Sequence, residues 1–214
     1  MKKFHKILIS AGPTREKIDP VRFITNRSSG KMGYALAENA VKYADEVVLV
    51  SGPVTLDTPE NVKRIDIESA AEMAAAMFAE STDADLIIMC AAVADYRPKI
   101  IHTSKMKKSD GDLTLVLERT EDILKTLGQN KKAGQILAGF AAETDDILAN
   151  AQSKLERKNL DFIIANDVSS NSKGGFGVDN NAVTIIDRSG HQEIFALCHK
   201  KELADKILKY ISEK

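Results

Sequence analysis

Short apolar runs alternate with longer helical stretches along this chain, and few architectures accept that rhythm. Ile7-Leu8-Ile9, between Lys6 and Ser10, form a short apolar run that leads into Ala11-Gly12-Pro13, a strand followed by a turn. A helix is predicted over 29–43, where Met32, Ala35, Leu36, Ala40 and Tyr43 recur at helical spacing. Strands follow at 46–50, closed by Ser51-Gly52-Pro53, and at 62–67. The alanine- and methionine-rich stretch 70–79 predicts a second helix. The unbroken apolar run 86–90 reads as a strand buried on both faces, as parallel sheets require. Strand-like runs at 113–117, 136–140 and 162–165 are separated by predicted helices over 121–127 and 146–157. Residues 182–187 and 192–196 flank Ser189-Gly190 as a β-hairpin, and an amphipathic helix covers 203–211. The expected fold class is therefore α/β: a Rossmann-like, mostly parallel sheet with helices on both faces and a C-terminal β-hairpin. Residues 1–214 carry no repeat or low-complexity linker. They are expected to form one nucleotide-binding domain, with 98–117 a flap-like excursion from the sheet.

A formal net charge of −1 argues against a protein built to bind nucleic acid or a membrane surface. The first nine residues hold basic side chains but only a short apolar stretch, and no small-residue cleavage site follows. They read as a first strand, not a signal peptide, and no segment approaches a membrane span, so the cytoplasm is the expected compartment. Cys90 and Cys198 lack metal or redox spacing, and Cys90 lies in an apolar run that predicts a buried structural thiol. His5, His102, His191 and His199 show no metal-ligand pattern. The segment starting at Asp167 begins like a calcium loop, but Ser172 and Val178 stand where glycine and glutamate are needed.

The most informative local feature is Asn26-Arg27-Ser28-Ser29-Gly30-Lys31-Met32-Gly33. Gly30 and Gly33 hold the last two glycine positions of a GxGxxG pattern, with Ser28 in place of the first. Such glycines admit a phosphate to backbone amides at a helix N-terminus, although a serine-capped helix with packing glycines reads equally well. A Walker A loop is ruled out, because Met32 stands where serine or threonine would bind magnesium. A dinucleotide fingerprint fits poorly too: the second strand ends in Val50-Ser51-Gly52-Pro53, with no acid for a ribose. Cys90-Ala91-Ala92-Val93-Ala94-Asp95 places small residues past a central strand's carboxyl end, either a ligand-facing turn or a tightly packed one. Lys105-Met106-Lys107-Lys108 before Ser109-Asp110-Gly111 suggests a basic flap over phosphates, or a solvated charge run. Lys154 and Lys158 share a helix face. Asn166 follows a buried strand, and Phe140 offers either a stacking face or core packing.

Taken in order, these segments resemble the phosphopantothenoylcysteine synthetase (phosphopantothenate–cysteine ligase) family. The likeness runs through Ala11-Gly12-Pro13-Thr14-Arg15-Glu16, Asp19-Pro20-Val21-Arg22-Phe23-Ile24-Thr25-Asn26, the glycine box and Val50-Ser51-Gly52-Pro53. It continues in Gly139-Phe140-Ala141-Ala142-Glu143-Thr144, Lys158-Asn159-Leu160-Asp161 and Ala165-Asn166-Asp167-Val168. The resemblance implies a ligase of coenzyme A biosynthesis in the stand-alone bacterial form, without flavin. It implies CTP rather than ATP as the nucleotide, with Mg2+, and 4′-phosphopantothenate and L-cysteine as substrates. It implies a homodimer with shared active sites. Gly12, Ser28, Gly30 and Gly33 would cradle phosphates, and Phe140, Asn166, Lys154 and Lys158 would contact the rest of the nucleotide. Asn26 and Lys105 would act on the reacting acyl-phosphate. Ala91, Ala92 and Asp95 would hold the pantothenate moiety, with Arg22 of the neighbouring subunit on its phosphate. The family's metal ligands are not legible here, and Glu121-Asp122 departs from an expected Pro-Asp pair. A nicotinamide oxidoreductase or a non-catalytic nucleotide-sensing module explains fewer of these features.

Overall fold

The computed structural model describes residues 4–107, 112–143, 147–167 and 177–214. The first apolar run becomes strand β1 (Phe4–Ala11), buried at every position except His5. Two short strands, β2 (Arg15–Asp19) and β3 (Arg22–Thr25), pair with each other, outside the main sheet, before helix α1 (Lys31–Ala40). Strands β4 (Ala44–Ser51) and β5 (Lys63–Asp66) and helix α2 (Ala70–Glu80) follow. Ser69 caps α2 by accepting from the Glu72 amide, and Glu72 answers by accepting from the Ser69 amide, a reciprocal start that stabilises by about 1 kcal/mol. Next come β6 (Leu86–Met89), β7 (Tyr96–Pro98), β8 (Leu117–Arg119) and α3 (Ile123–Gln129). The remaining elements are β9 (Ile136–Glu143), α4 (Ile147–Arg157), β10 (Phe162–Asp167), β11 (Asn180–Asp187), β12 (Gln192–His199) and α5 (Lys200–Ser212).

Eight strands form the main sheet in the order β12-β11-β10-β9-β6-β1-β4-β5. The six from β10 to β5 run parallel, and β11 and β12 close one edge as an antiparallel hairpin. Counting the parallel strands in chain order reproduces the arrangement of a doubly wound, Rossmann-like sheet. Apolar residues fill both faces. Ile7, Ile9 and Leu49 pack with α1 and α5, while Leu8, Val48 and Ile87 pack with α2, α3 and α4. The C-terminal hairpin appears as predicted, longer at both strands.

The excursion from the sheet takes a different form from the sequence reading. Of the strand expected at 113–117 only Leu117 is in a strand, β8, which pairs with β7 as a small separate ribbon. Leu113, Val116 and Leu117 remain exposed, so no sheet neighbour rewards extending the strand. The β2–β3 ribbon had no counterpart in the sequence reading. Residues 108–111 of the flap, 144–146 at the expected start of α4, and 168–176, where the failed calcium-loop pattern falls, lie outside the described residues.

Candidate active site

From β1 the chain winds to β4, and from β6 it winds the other way to β9, so these neighbours mark the switch point where open α/β sheets bind ligands. The two strands stay tied beyond their ends. The Ala92 amide donates to the Gly12 carbonyl at 2.9 Å, and Pro13 and Ala92 continue the parallel pairing. The buried Ser10 hydroxyl accepts from the Cys90 and Ala91 amides, both at 3.1 Å. Thr14 Oγ1 accepts from the Ala94 amide at 3.0 Å. Small residues matter here because a backbone leaving the sheet edge offers its groups to a ligand only if no side chain covers them.

The glycine box meets this edge through Asn26. Its Nδ2 donates to the Ala92 carbonyl at 2.8 Å, and its Oδ1 accepts from the Ser28 amide at 3.0 Å. One carboxamide thus joins the loop to the end of β6 while keeping a second N–H and spare lone pairs for a ligand. Gly30 begins α1 with φ of 76° and provides no side-chain cap, so the first-turn amides face the loop uncapped. Gly33 permits the closest approach: a Cβ there would lie 2.5 Å from the Ala11 Cβ. These glycines bring the helix N-terminus onto the switch point.

A cavity of about 160 Å³ opens between α1 and the sheet edge. It gathers Ser28, Gly30, Gly33, Ala91, Ala92, Phe140 and Asn166 of the sequence-derived candidates. Gly12 stands behind Gly30, its Cα 3.4 Å from where a Gly30 Cβ would sit. A second, more open cavity of about 430 Å³ shares Ala91 and Phe140 and adds Asp95, Glu121, Asp122 and Lys158. Lys158 Nζ bonds Asp122 at 2.8 Å, and Asp122 also caps α3. Burial alone would raise the Asp122 carboxyl, but the Lys158 hydrogen bond, the Lys125 amide and the charges of both lysines together hold the group below its ordinary value. At the departing position, Glu121 accepts from Thr126 Oγ1 at 3.0 Å.

Asn26 and Gly12 reach the smaller cavity through the loop without lining either cavity, and three further candidates stand apart from both. Lys154 is half-buried on α4 and lines neither. Lys105 is exposed, next to Met106, whose carbonyl accepts from Arg22. Arg22 lies on the β2–β3 ribbon and donates through Nε to Asp19 at 2.9 Å.

Asp19 organises that ribbon. It is 2% exposed and also accepts from the Val21, Arg22 and Met106 amides. The Arg22 hydrogen bond, opposed by burial and aided by those amides, holds its carboxyl well below the usual carboxylate range. A depressed folded-state pKa gives stability that is present above the unfolded value of about 3.9 and lost as pH falls below it. Asp19→Asn is therefore expected to lower the melting temperature at neutral pH and flatten its fall between about pH 5 and pH 2. Melts recorded across that range check this; a curve parallel to wild type would show that Asp19 contributes nothing to acid sensitivity.

The cavity residues missed as site candidates include Lys31, Cys90, Asn181 and Lys200. Burial, then the charge of Lys31, pushes the Lys200 ammonium below its ordinary value. Burial pushes the Cys90 thiol up to about 12, so it stays protonated at neutral pH, although it is half-buried at the cavity wall and not fully buried as expected. Lys31 was within reach, since it lies inside the glycine box. Asn181 and Lys200 carry no motif and arrive only through the pairing of β11 and β12.

At the end of β4, Ser51 is buried and bonded to the Tyr34 hydroxyl at 2.9 Å, so the ribose acid of a dinucleotide site is replaced by a packing contact. Among the described residues no group of three or more His, Cys, Asp or Glu is placed to hold a metal ion. No helix among them is long and apolar enough to cross a membrane.

Comparison with known proteins agrees with the resemblance read from the sequence. The model of the DNA/pantothenate metabolism flavoprotein C-terminal domain family matches residues 3–214. The coenzyme A biosynthesis bifunctional protein CoaBC of Bacillus subtilis is 52% identical over 207 residues, which are 96% of this chain and 50% of that protein. Its Escherichia coli counterpart is 45% identical over 209 residues, 96% of this chain and 51% of the relative. The chain thus spans about half the length of the curated relatives it matches. A crystal structure of the C-terminal domain of CoaBC superposes with a TM-score of 0.84 at 47% identity, covering 99% of this chain and 96% of the other. A Cab2 mutant in complex with phosphopantothenate-cysteine, only 15% identical, shares the fold with a TM-score of 0.76 over 98% of this chain and 86% of its own. The chain belongs to the DNA/pantothenate metabolism flavoprotein C-terminal domain family.

Proposed function

We propose that this chain is a phosphopantothenate–cysteine ligase. In the first half-reaction a carboxylate oxygen of 4′-phosphopantothenate attacks the α-phosphorus of CTP and pyrophosphate leaves, giving an acyl-cytidylate. In the second, the amine of L-cysteine attacks the acyl carbon and CMP departs, forming the amide and releasing a proton. The nucleotide supplies the leaving group that a carboxylate lacks, so the protein's work is positioning and charge stabilisation. No electrons move between substrates, and the flavin in the family's name has no step in this reaction. Magnesium enters with the triphosphate as part of the substrate.

The observation that carries this reading is the Asn26 carboxamide, which joins the glycine loop to the Ala92 carbonyl at the switch point. A carboxylate laid along Ala91 and Ala92 meets a nucleotide α-phosphate near the α1 N-terminus, with the spare Asn26 N–H between them. The phosphopantothenate-cysteine bound to the Cab2 mutant and the coenzyme A function named for CoaBC support the substrate class. CTP is proposed over ATP from the motif resemblance. The site is proposed to be completed in a homodimer, because Arg22 sits on a ribbon outside the cavity formed by its own chain.

The test is pyrophosphate release from CTP or ATP with 4′-phosphopantothenate present and cysteine withheld. Release that requires phosphopantothenate, with amide formed only after cysteine is added, is the expected result, and the faster nucleotide settles the preference. Folded protein that releases no pyrophosphate with either nucleotide would exclude the ligase.

A further inference from the structure

The root of the flap is fastened to the β2–β3 ribbon of its own chain. Just past β7 the Lys99 amide donates to the Val116 carbonyl at 2.9 Å, and the His102 amide donates to the Ile18 carbonyl of β2 at 3.0 Å. Further on, the Met106 amide donates to Asp19 Oδ2 at 3.2 Å, and the Met106 carbonyl accepts from Arg22 Nη2 at 3.5 Å. Asp19 Oδ2 also accepts from Arg22 Nε, so one buried carboxylate oxygen holds the flap root and the guanidinium together. Lys105 directly precedes Met106, its Cα only ~3.8 Å away along the chain. Neither Lys105 nor Arg22 lines a cavity of its own chain near the switch point.

We propose that Lys105 works with Arg22 in the neighbouring subunit's site and not in the site of its own chain. The inference rests on the homodimer with shared sites proposed above. Wherever the ribbon carries Arg22, Lys105 follows, because swinging it back towards its own cavity would take the Met106 amide from a buried carboxylate. The Arg22 side chain is 42% exposed while the Asp19 side chain is fully buried, so the cation is held from behind and open in front. Exposed apolar side chains lie on both segments, Val21 and Phe23 on the ribbon and Ile100 and Ile101 on the flap root. Tied at Ile18 and Asp19, ribbon and flap root thus offer apolar surface for a second copy of this chain to cover. A phosphate-bearing substrate then meets two cations delivered by one subunit, against the glycine loop and Asn26 of the other.

Pairs of variants, co-expressed with different tags and purified as heterodimers, decide this by pyrophosphate release, with thermal melts confirming that each chain is folded. Lys105→Ala alone is expected to lose about 10²-fold or more. Paired with Asn26→Ala it should regain about half of wild-type activity, because the site that keeps Asn26 receives both cations from the other chain. Paired with Arg22→Ala it should regain none, since each site then lacks one of the two cations. The reverse pattern, no recovery with Asn26→Ala and half with Arg22→Ala, would place Lys105 in its own chain's site and overturn the proposal. Recovery in both pairs or in neither would overturn it too, as would a Lys105→Ala homodimer of wild-type activity. The pair Arg22→Ala with Asn26→Ala tests the shared site separately. Without recovery there, the shared-site reading fails and takes this inference with it; with recovery there, the reverse pattern removes only the assignment of Lys105.

Discussion

An Asn26→Ala enzyme that keeps its fold is expected to lose about 10²- to 10³-fold in kcat for acyl-nucleotide formation, the usual effect of deleting one preorganised donor to a developing charge. Asn26 is well placed for this. Its orientation is set by bonds to the Ala92 carbonyl and the Ser28 amide, so the second N–H needs no rearrangement when charge builds on the acyl-phosphate. Single-turnover pyrophosphate release separates this loss from weakened nucleotide binding. A wild-type rate would remove Asn26 from the mechanism. The same variant probes subunit sharing. Mixed with inactive Arg22→Ala, half of randomly assorted dimers are heterodimers with one intact site each, so about a quarter of wild-type activity should return. No recovery in verified heterodimers would place Arg22 outside the site.

Gly52→Ala is expected to destabilise the protein by about 3 kcal/mol or more, lowering the melting temperature by roughly 6–12 °C. A Cβ at Gly52 would lie 1.8 Å from the Pro13 carbonyl oxygen, an overlap between backbones that no side-chain rotation relieves. Gly52 also donates its amide to Ala11 at 2.9 Å, so yielding would strain the end of β1 that carries the switch point. Thermal melting checks the effect, and a loss below 1 kcal/mol would mean that the Pro13 turn moves freely. Because Pro13 continues the pairing with Ala92, the variant should also bind nucleotide more weakly at temperatures where it stays folded.

The parallel sheet was legible because its strands are buried on both faces and read as unbroken apolar runs, as Leu86–Met89 does. The β2–β3 ribbon escaped because it is held by charge. Arg15 lies 4.7 Å over the Phe23 ring and Arg22 pairs with Asp19, contacts that leave no hydrophobic period. The glycine box was legible because its spacing reflects a steric demand, seen in Gly33 against Ala11. Asn181 and Lys200 were not, since neither belongs to a local pattern and antiparallel pairing alone carries them to the cavity. Lys105, read from its neighbours as covering the site, lies in this single chain beside the Arg22 ribbon.

The packing of α1 against α5 sets a timetable for synthesis. Leu203, Ala204, Ile207 and Leu208 share the core that buries Leu36, Ala37 and Ala40, and Asn39 donates to the carbonyl of Lys201, 162 residues further on. At ribosomal speeds that interval takes roughly 8–30 s. Through it the helix bearing the glycine loop waits with its apolar outer face uncovered, so a nascent chain that can already arrange its phosphate-binding loop still depends on chaperone shelter or slow local sampling until α5 emerges.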